Sequence, residues 1–354
     1  MNNLKDYKNI LVFENEYDDN FLLLFNNRTL SVGYIVTDIL LCLQQDLKLT
    51  SEIQKNIYDK YKLKISSNDI ESIIDKLDKF IAKGSDSFFF RLFKFANPSK
   101  VSIGEKLLFK KDFFYPFFFF VTIINIYFSN TLNYVTISGF SDWILWLAIL
   151  LFLLFFHQIG HSASSKKYGV LCKEMGLGLY LIFPVLYTNL GETWKLQRKK
   201  RIIINLSGIY FQLIIGVIIG FIAHISNSNL LSFVFYSNIA IILFNFNPFI
   251  KLDGYWVITD LLNIKNLSKL SNNQIINIFL LKFNKLKNSW LITYSVAKLI
   301  FLLLIVYVFF NLVSSIISKI YYSTPLSIRD YLLLLIILFY VYKSFRRKKD
   351  ESTI

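Results

Sequence analysis

The apolar positions of this chain follow one pattern up to about residue 85 and a different one beyond residue 112. In the first region, charges of both signs interrupt short apolar runs. Phe21–Phe25 and Thr29–Val32 have the length and composition of two strands of a hairpin. Beyond Gly33, apolar residues recur at helical spacing in three groups, at about 35–43, 53–61 and 70–77. The pattern predicts a small α+β domain over residues 1–85, with the outline of a winged helix.

From residue 113 onward the chain is dominated by long apolar spans. There are six, each near the ~20 residues that cross a bilayer, although the last is short: about 113–131, 143–161, 202–223, 229–249, 290–313 and 329–342. A further apolar stretch, about 174–187, contains Pro184 and several glycines, and predicts a re-entrant or hairpin element. The predicted fold is mainly α, a polytopic membrane domain of about six transmembrane helices over residues 113–345. A linker (86–112) joins it to the first domain, and a basic tail (346–354) follows it.

Composition and charge agree with membrane residence. Hydrophobic residues make up 54% of the chain, and the formal net charge is +15. The basic residues cluster in loops on one side of the spans, whereas the opposite loops, about 132–142, 224–228 and 314–328, contain only Lys319. This asymmetry predicts a multi-pass protein of a bacterial cell membrane with both termini in the cytoplasm, in contact with the lipid bilayer and with no nucleic-acid partner. The two cysteines, Cys42 and Cys172, are too few and too far apart to suggest disulfides or a cysteine zinc site.

Two of the three histidines, His157 and His161, lie four residues apart at the end of an apolar span. On a helix this spacing places both imidazoles on one face. Ionisable side chains within a membrane are costly and usually functional. The pair is therefore a candidate for metal binding, and the alternative is a pair of interior histidines that face a cavity.

Asp253 follows the fourth span in the segment Asn247–Trp256. Pro248 breaks the helix and Gly254 frees the backbone, so the carboxylate can turn back toward the histidine pair. Two histidines and one carboxylate leave a fourth position on Zn²⁺ open, which is the geometry of a catalytic site. The alternative is a helix-ending turn with a solvated aspartate.

Together, His157-x-x-x-His161 and Asn247-Pro248…Leu252-Asp253-Gly254 resemble the site-2-type intramembrane zinc metalloproteases, over about residues 110–345. The resemblance implies a zinc ion held by His157, His161 and Asp253. It also implies that Asn247 positions the substrate or stabilises the tetrahedral intermediate. The stretch Gly208–Gln212 departs from the family's Gly-Pro-x-x-Asn region, so no role is carried over to it.

The first domain resembles the leader-peptide recognition domains related to the chaperone of pyrroloquinoline-quinone synthesis. Peptidases with such a domain mature ribosomally made peptides and bacteriocins, so the resemblance implies an endopeptidase that cleaves a peptide precursor, modified or unmodified, near the cytoplasmic face. The precursor would add to the edge of the Phe21–Phe25 and Thr29–Val32 hairpin. A plain folding or docking domain is the alternative. The oligomeric state and any need for partner proteins stay open.

Gln158 stands where this family has a glutamate that accepts a proton from the attacking water. An amide cannot accept that proton, and loss of a general base costs about 10²–10⁴-fold in rate. The chain is therefore expected to bind zinc and peptide but to cleave poorly or not at all. Two explanations of Gln158 are open. It was introduced in place of glutamate to trap a bound peptide, or it is the native residue; the intact ligand set favours the first explanation. A native Gln158 would make the protein a pseudoprotease with a role in peptide binding, export or immunity.

Overall fold

A computed structural model describes most of the chain. The described residues are 7–14, 21–25, 28–45, 49–82, 89–98, 104–172, 174–180, 183–264, 266–282 and 288–322, with positions 325, 330, 331 and 334. They divide into two compact units, with the boundary between Asn263 and Ile264. The predicted basic tail (346–354) and almost all of the predicted sixth span (329–342) lie outside the described residues.

The first domain contains a three-stranded antiparallel sheet followed by three helices. Its strands are β1 (Leu11–Glu14), β2 (Phe21–Phe25) and β3 (Arg28–Val32), in that order across the sheet. Helices α1 (Tyr34–Gln44), α2 (Thr50–Tyr61) and α3 (Ser67–Ala82) follow. Leu23, Ile39, Ile53 and Ile70 are completely buried together in its core. The predicted hairpin and three helices are confirmed, and β1 is an additional strand.

By length and apolar composition, four of the described helices are candidate membrane spans. After the short helix α4 (Glu105–Leu108), these are α5 (Lys111–Thr131), α6 (Phe140–Lys167), α7 (Arg198–Ser226) and, in the second unit, α11 (Ser289–Tyr321). Among α5, α6 and α7, the central helix is α7, which is the most buried of the spans and contacts both of the others.

The predicted fourth span, about 229–249, is shorter in the structure. Helix α8 (Asn229–Asn245) has 17 residues, below the ~20 that cross a bilayer. Its first turn is capped by Ser228, which accepts a hydrogen bond from the Leu231 amide at 3.3 Å. At the other end, Phe246–Phe249 contains Asn247 and Pro248 and forms a turn instead of continuing the helix. The expectation of six spans is therefore not met by the described residues, which supply four.

A second antiparallel sheet lies beside α6. Its strands are β4 (Phe89–Ala96), β5 (Met175–Tyr180) and β6 (Phe183–Thr188), in that order. Strands β5 and β6 form the hairpin that was one of the two forms expected for 174–187. Strand β4 comes from the predicted linker (86–112), so part of that segment belongs to a sheet with the membrane region. Strand β6 contacts α6 at Gln158, beside the first histidine, through Leu186 and Thr188.

Two short elements complete the first unit. The 3-10 segment Gly191–Lys195 follows β6, and strands β2 and β3 of the first domain contact it. Helix α9 (Asp253–Leu262) follows the turn after α8 and packs on α7.

In the second unit, α10 (Leu267–Phe279) packs on α11. There, the Lys298 ammonium donates to Asn272 Oδ1 at 2.8 Å, so this lysine binds polar groups of a neighbouring helix.

Candidate metal centre

Helix α6 presents His157 and His161 on one buried face. The two residues are 4% and 3% exposed, and their Nε2 atoms are 3.1 Å apart. Every residue from His157 to Ser165 is buried. Since the start of the same helix is largely exposed, burial is concentrated where the helix meets α7 and β6.

Asp253 reaches the same point from α9. Its Oδ2 atom lies 3.1 Å from His157 Nε2 and 3.4 Å from His161 Nε2. The three predicted ligand residues, which are up to 96 positions apart in sequence, are thus brought together. Among the described residues, they form a group whose ligand atoms all lie within 4.8 Å of one another.

The triangle formed by these atoms has the dimensions of one face of a zinc tetrahedron. Zinc–nitrogen and zinc–oxygen bonds of 2.0–2.2 Å in a tetrahedral site place two ligand atoms about 3.3 Å apart. The observed separations are 3.1, 3.1 and 3.4 Å. The three separations therefore match those of a tetrahedral zinc site.

Both imidazoles are oriented by acceptors on their far side. His157 Nδ1 lies 2.9 Å from Gln212 Oε1, and His161 Nδ1 lies 2.8 Å from the Ile204 carbonyl oxygen. Each Nδ1 therefore carries the proton, and each Nε2 directs its lone pair into the site. Metal-binding histidines are held in this way by outer partners that fix the ring and its tautomer.

The acidic group is left without a donor. Asp253 Oδ2 is buried and has no hydrogen-bond partner among the described residues. Burial alone would raise the pKa of Asp253, whereas the positive charge that His161 and His157 carry when protonated would lower it, and a bound cation would act on the carboxylate in the same direction. Two lone pairs and a carboxylate oxygen converge with no proton between them, which is unfavourable unless a cation joins them. The donor set therefore fits Zn²⁺.

Two glycines make the geometry possible. A Cβ on Gly208 of α7 would lie 2.5 Å from His157 Cε1 and 2.5 Å from His161 Nε2, so any other residue would displace the imidazoles. A Cβ on Gly254 would overlap the Phe246 carbonyl oxygen, so the start of α9 can lie against the end of α8 only with glycine there. Gly208 and Gln212 are one helical turn apart and face the same histidine.

Gln158 lies beside the triangle, at the boundary with β6. Its side chain is 8% exposed, and Nε2 donates to the Leu186 carbonyl oxygen at 2.9 Å. The Thr188 hydroxyl donates to the Gln158 carbonyl oxygen at 3.4 Å. The amide thus connects the helix that carries the histidine pair to strand β6.

Asn247 has a structural function in the turn before Asp253. Its Oδ1 accepts from the Phe249 and Ile250 amides at 2.9 and 3.3 Å, which closes the turn between α8 and α9. Its expected part in substrate positioning stays a prediction. Gln212 and Gly208 received no role from the sequence, although a glycine and an amide four residues apart in a largely apolar span were a signal for a site.

One curated relative supports a metalloprotease family for this chain. The chain is 25% identical over 244 residues to a protein of Bacillus subtilis (strain 168) named "Putative peptide zinc metalloprotease protein YydH". The match covers 65% of this chain and 86% of that one. No family model matches the chain, and no solved structure matches it. The relative and the His157, His161 and Asp253 group point to the same metal.

Proposed function

We propose that this chain has the fold and metal centre of a zinc-dependent intramembrane endopeptidase, and that Gln158 leaves it able to bind metal and peptide with little turnover. The observation that supports this most directly is the convergence of His157, His161 and Asp253 at 3.1–3.4 Å with both imidazoles oriented from behind. When bound, zinc supplies a Lewis acid that polarises the scissile carbonyl and acidifies the attacking water.

Gln158 defines what this version of the site does. Its position, one residue after His157 and next to β6, is where a base would need to lie to reach both water and peptide. The amide can donate or accept a hydrogen bond but cannot take a proton at neutral pH. Without that base, cleavage is expected to be about 10²–10⁴-fold slower than with a glutamate at this position.

The proposed substrate is a peptide precursor that binds in an extended conformation. Within the described part of the chain, β6 pairs with β5 alone and contacts α6 at Gln158. An extended segment that pairs with a strand at this edge would carry its backbone past the metal centre. The first domain offers a second sheet edge at β3, and its strands β2 and β3 contact the 3-10 segment that follows β6. This arrangement supports leader recognition close to the site of cleavage.

The proposed location is the cell membrane, with the site near the cytoplasmic ends of its helices. His157 and His161 lie toward the end of α6 that carries Lys166 and Lys167. Helix α7 begins at the basic cluster 198–201, on the same side of the unit as this end of α6, because Ser164 and Ser207 are hydrogen bonded at 2.7 Å. Basic residues accumulate on the cytoplasmic side of membrane proteins.

A second function, peptide binding without cleavage, is favoured by one contact. The Gln158 amide nitrogen donates to the Leu186 carbonyl, and a carboxylate at this position could not donate that hydrogen bond. A native Gln158 would therefore hold β6 against α6 in a protein that retains or passes a peptide. If the natural residue at this position were glutamate, its carboxylate would face the Leu186 carbonyl oxygen. Both groups are acceptors, so they could not form this hydrogen bond.

Zinc content and a restored base test the proposal together. Purified protein should contain close to one zinc per chain, and His157→Ala and Asp253→Ala should each lose it. His224→Ala is the matched control, because this exposed histidine belongs to the last turn of α7, away from the site. Stoichiometric zinc in both ligand variants would refute the ligand set.

Gln158→Glu then separates the two functions. If the chain is an endopeptidase that lacks its base, the variant gains cleavage of a leader-containing precursor, and this activity is lost again when His157→Ala is added. If the variant contains zinc but leaves its cognate precursor intact, the binding function is supported instead. Deletion of residues 1–85 should weaken binding of the precursor much more than binding of a short core peptide.

A further inference from the structure

Helix α9 carries the metal-binding carboxylate on its first residue, but it is short. Its 10 residues, Asp253–Leu262, follow a turn and do not form a membrane span. A carboxylate at the first position of such a helix points into the site only while the helix axis is fixed. The contacts that fix α9 therefore determine where Asp253 lies.

The strongest polar contact of α9 is a buried ion pair with α7. Arg201 Nε donates to Asp260 Oδ1 at 2.9 Å, and Arg201 Nη2 donates to the same oxygen. The two side chains are 16% and 5% exposed. Asn205, one turn along α7, donates to the other carboxylate oxygen at 3.4 Å. Burial raises the pKa of Asp260 and the charge of Arg201 opposes that rise, so removal of Arg201 would leave a buried acid without its partner.

The same guanidinium also holds the 3-10 segment before α7. Arg201 Nη1 donates to the Leu196 carbonyl at 3.0 Å and to the Trp194 carbonyl at 3.4 Å. The Arg201 Cζ atom lies over the Trp194 ring, 5.0 Å from its centroid. A planar group with several donors can make these contacts at once, and a lysine ammonium cannot reproduce them.

Trp194 closes the arrangement by returning to α9. Its ring packs edge-on against Trp256, with centroids 5.6 Å apart. Trp256 lies three residues after Asp253, and Asp260 lies seven residues after it, so α9 is held near both ends. Arg201 is the residue that contacts Asp260 and Trp194 alike.

We propose that Arg201 is a positioning residue for the metal centre: it fixes α9 through Asp260 and through the Trp194–Trp256 contact, and so aligns Asp253 with His157 and His161. This inference rests on the proposed metallopeptidase site and adds a residue that touches neither metal nor substrate. Arg201 acts through the helix, in the way that outer partners act on metal ligands.

Cobalt binding tests the proposal without any peptide. Co²⁺ replaces zinc in such sites and gives visible absorption bands that report the ligand geometry. In detergent-purified full-length protein, Arg201→Met is expected to weaken Co²⁺ binding about 10-fold or more and to change the visible spectrum. Arg201→Lys keeps the charge but not the fork or the stacking, and is expected to weaken binding by a smaller factor.

Arg198→Met is the matched control. Arg198 is exposed, lies on the same helix three residues earlier, and acts on Asp260 only through its charge. The Arg198→Met variant should bind Co²⁺ with the same affinity and spectrum as the unmodified chain.

Wild-type affinity and spectrum in Arg201→Met would overturn the proposal, as would equal losses of Co²⁺ affinity in Arg201→Met and Arg198→Met. If Arg201→Met does not fold, as judged by circular dichroism and gel filtration, Arg201→Lys decides by the same comparison. Absence of Co²⁺ binding in the unmodified chain would instead reject the metal centre on which the inference rests.

Discussion

Gln212 is the side chain that holds His157 from behind. Its Oε1 lies 2.9 Å from His157 Nδ1, and its Nε2 donates to Asn238 Oδ1 at 3.3 Å, which fixes the orientation of the amide. Gln212→Leu removes the acceptor and keeps an apolar side chain in the membrane interior. We expect metal affinity to fall about 10- to 100-fold, since loss of an outer partner typically has that effect. Competition with a chromogenic zinc chelator measures it.

Gln274→Leu is the control for this change, because Gln274 is also a buried glutamine but lies on α10. It should leave metal affinity unchanged. Equal affinities of Gln212→Leu and the unmodified chain would show that His157 does not depend on this partner.

Gly208 sets how closely α7 can approach the two histidines. Because its Cβ would lie 2.5 Å from atoms of both rings, Gly208→Ala is expected to displace them and to lower the zinc content well below one per chain. Gly220→Ala, on the same helix, would place its Cβ 2.7 Å from the Phe128 ring and so crowds a neighbour without touching the site. Metal analysis of both purified variants makes the comparison. Zinc retained in Gly208→Ala, or lost equally in both, would contradict the explanation.

At the residue scale, spacing within one helix was more informative than contacts between helices. His157 and His161 could be paired from their spacing alone, and Asp253 could be added from the proline and glycine that flank it. Gly208 and Gln212 mark α7 as unusual in the sequence, but the contacts of these residues and of Arg201 could not be predicted, because they depend on where α7 crosses α6 and α9.

Among the elements, local patterns predicted the three helices of the first domain and gave a hairpin as one of two forms for 174–187, but they gave no partner for β5. Strand β4 precedes β5 by about 80 residues, with two membrane helices between them. No turn signal links the two strands, so sequence reasoning assigned β4 to a linker. The end of α8 was misplaced for a different reason: the predicted span was extended through Asn247 and Pro248, and Asn247 caps a turn there.

The connection from α6 to β5 buries a thiol that reports on this packing. Cys172 is 1% exposed, and burial raises its pKa to about 11. The thiolate is the reactive form, so the residue should react very slowly with a water-soluble maleimide at pH 7.5 while the protein is folded. Cys42 is also buried, and burial raises its pKa as well. Denaturant should make both react. Ser141→Cys, at an exposed position on α6, is the positive control, and rapid labelling of Cys172 in folded protein would show that this connection is open.

Over the whole molecule, charge asymmetry predicts the orientation in the membrane. Because both native cysteines are buried and should not react, cysteines introduced at exposed positions can report that orientation. The segment between α5 and α6 contains exposed Ser138 and no basic residue, whereas the first domain and the basic start of α7 are expected in the cytoplasm. In intact cells, Ser138→Cys should react with a membrane-impermeant maleimide. Ser51→Cys, exposed on α2, should react only after the membrane is permeabilised. If Ser51→Cys reacts in intact cells and Ser138→Cys does not, the topology is the reverse of the predicted one. The His157, His161 and Asp253 centre would then lie at the outer face, where a cytoplasmic precursor could not reach it.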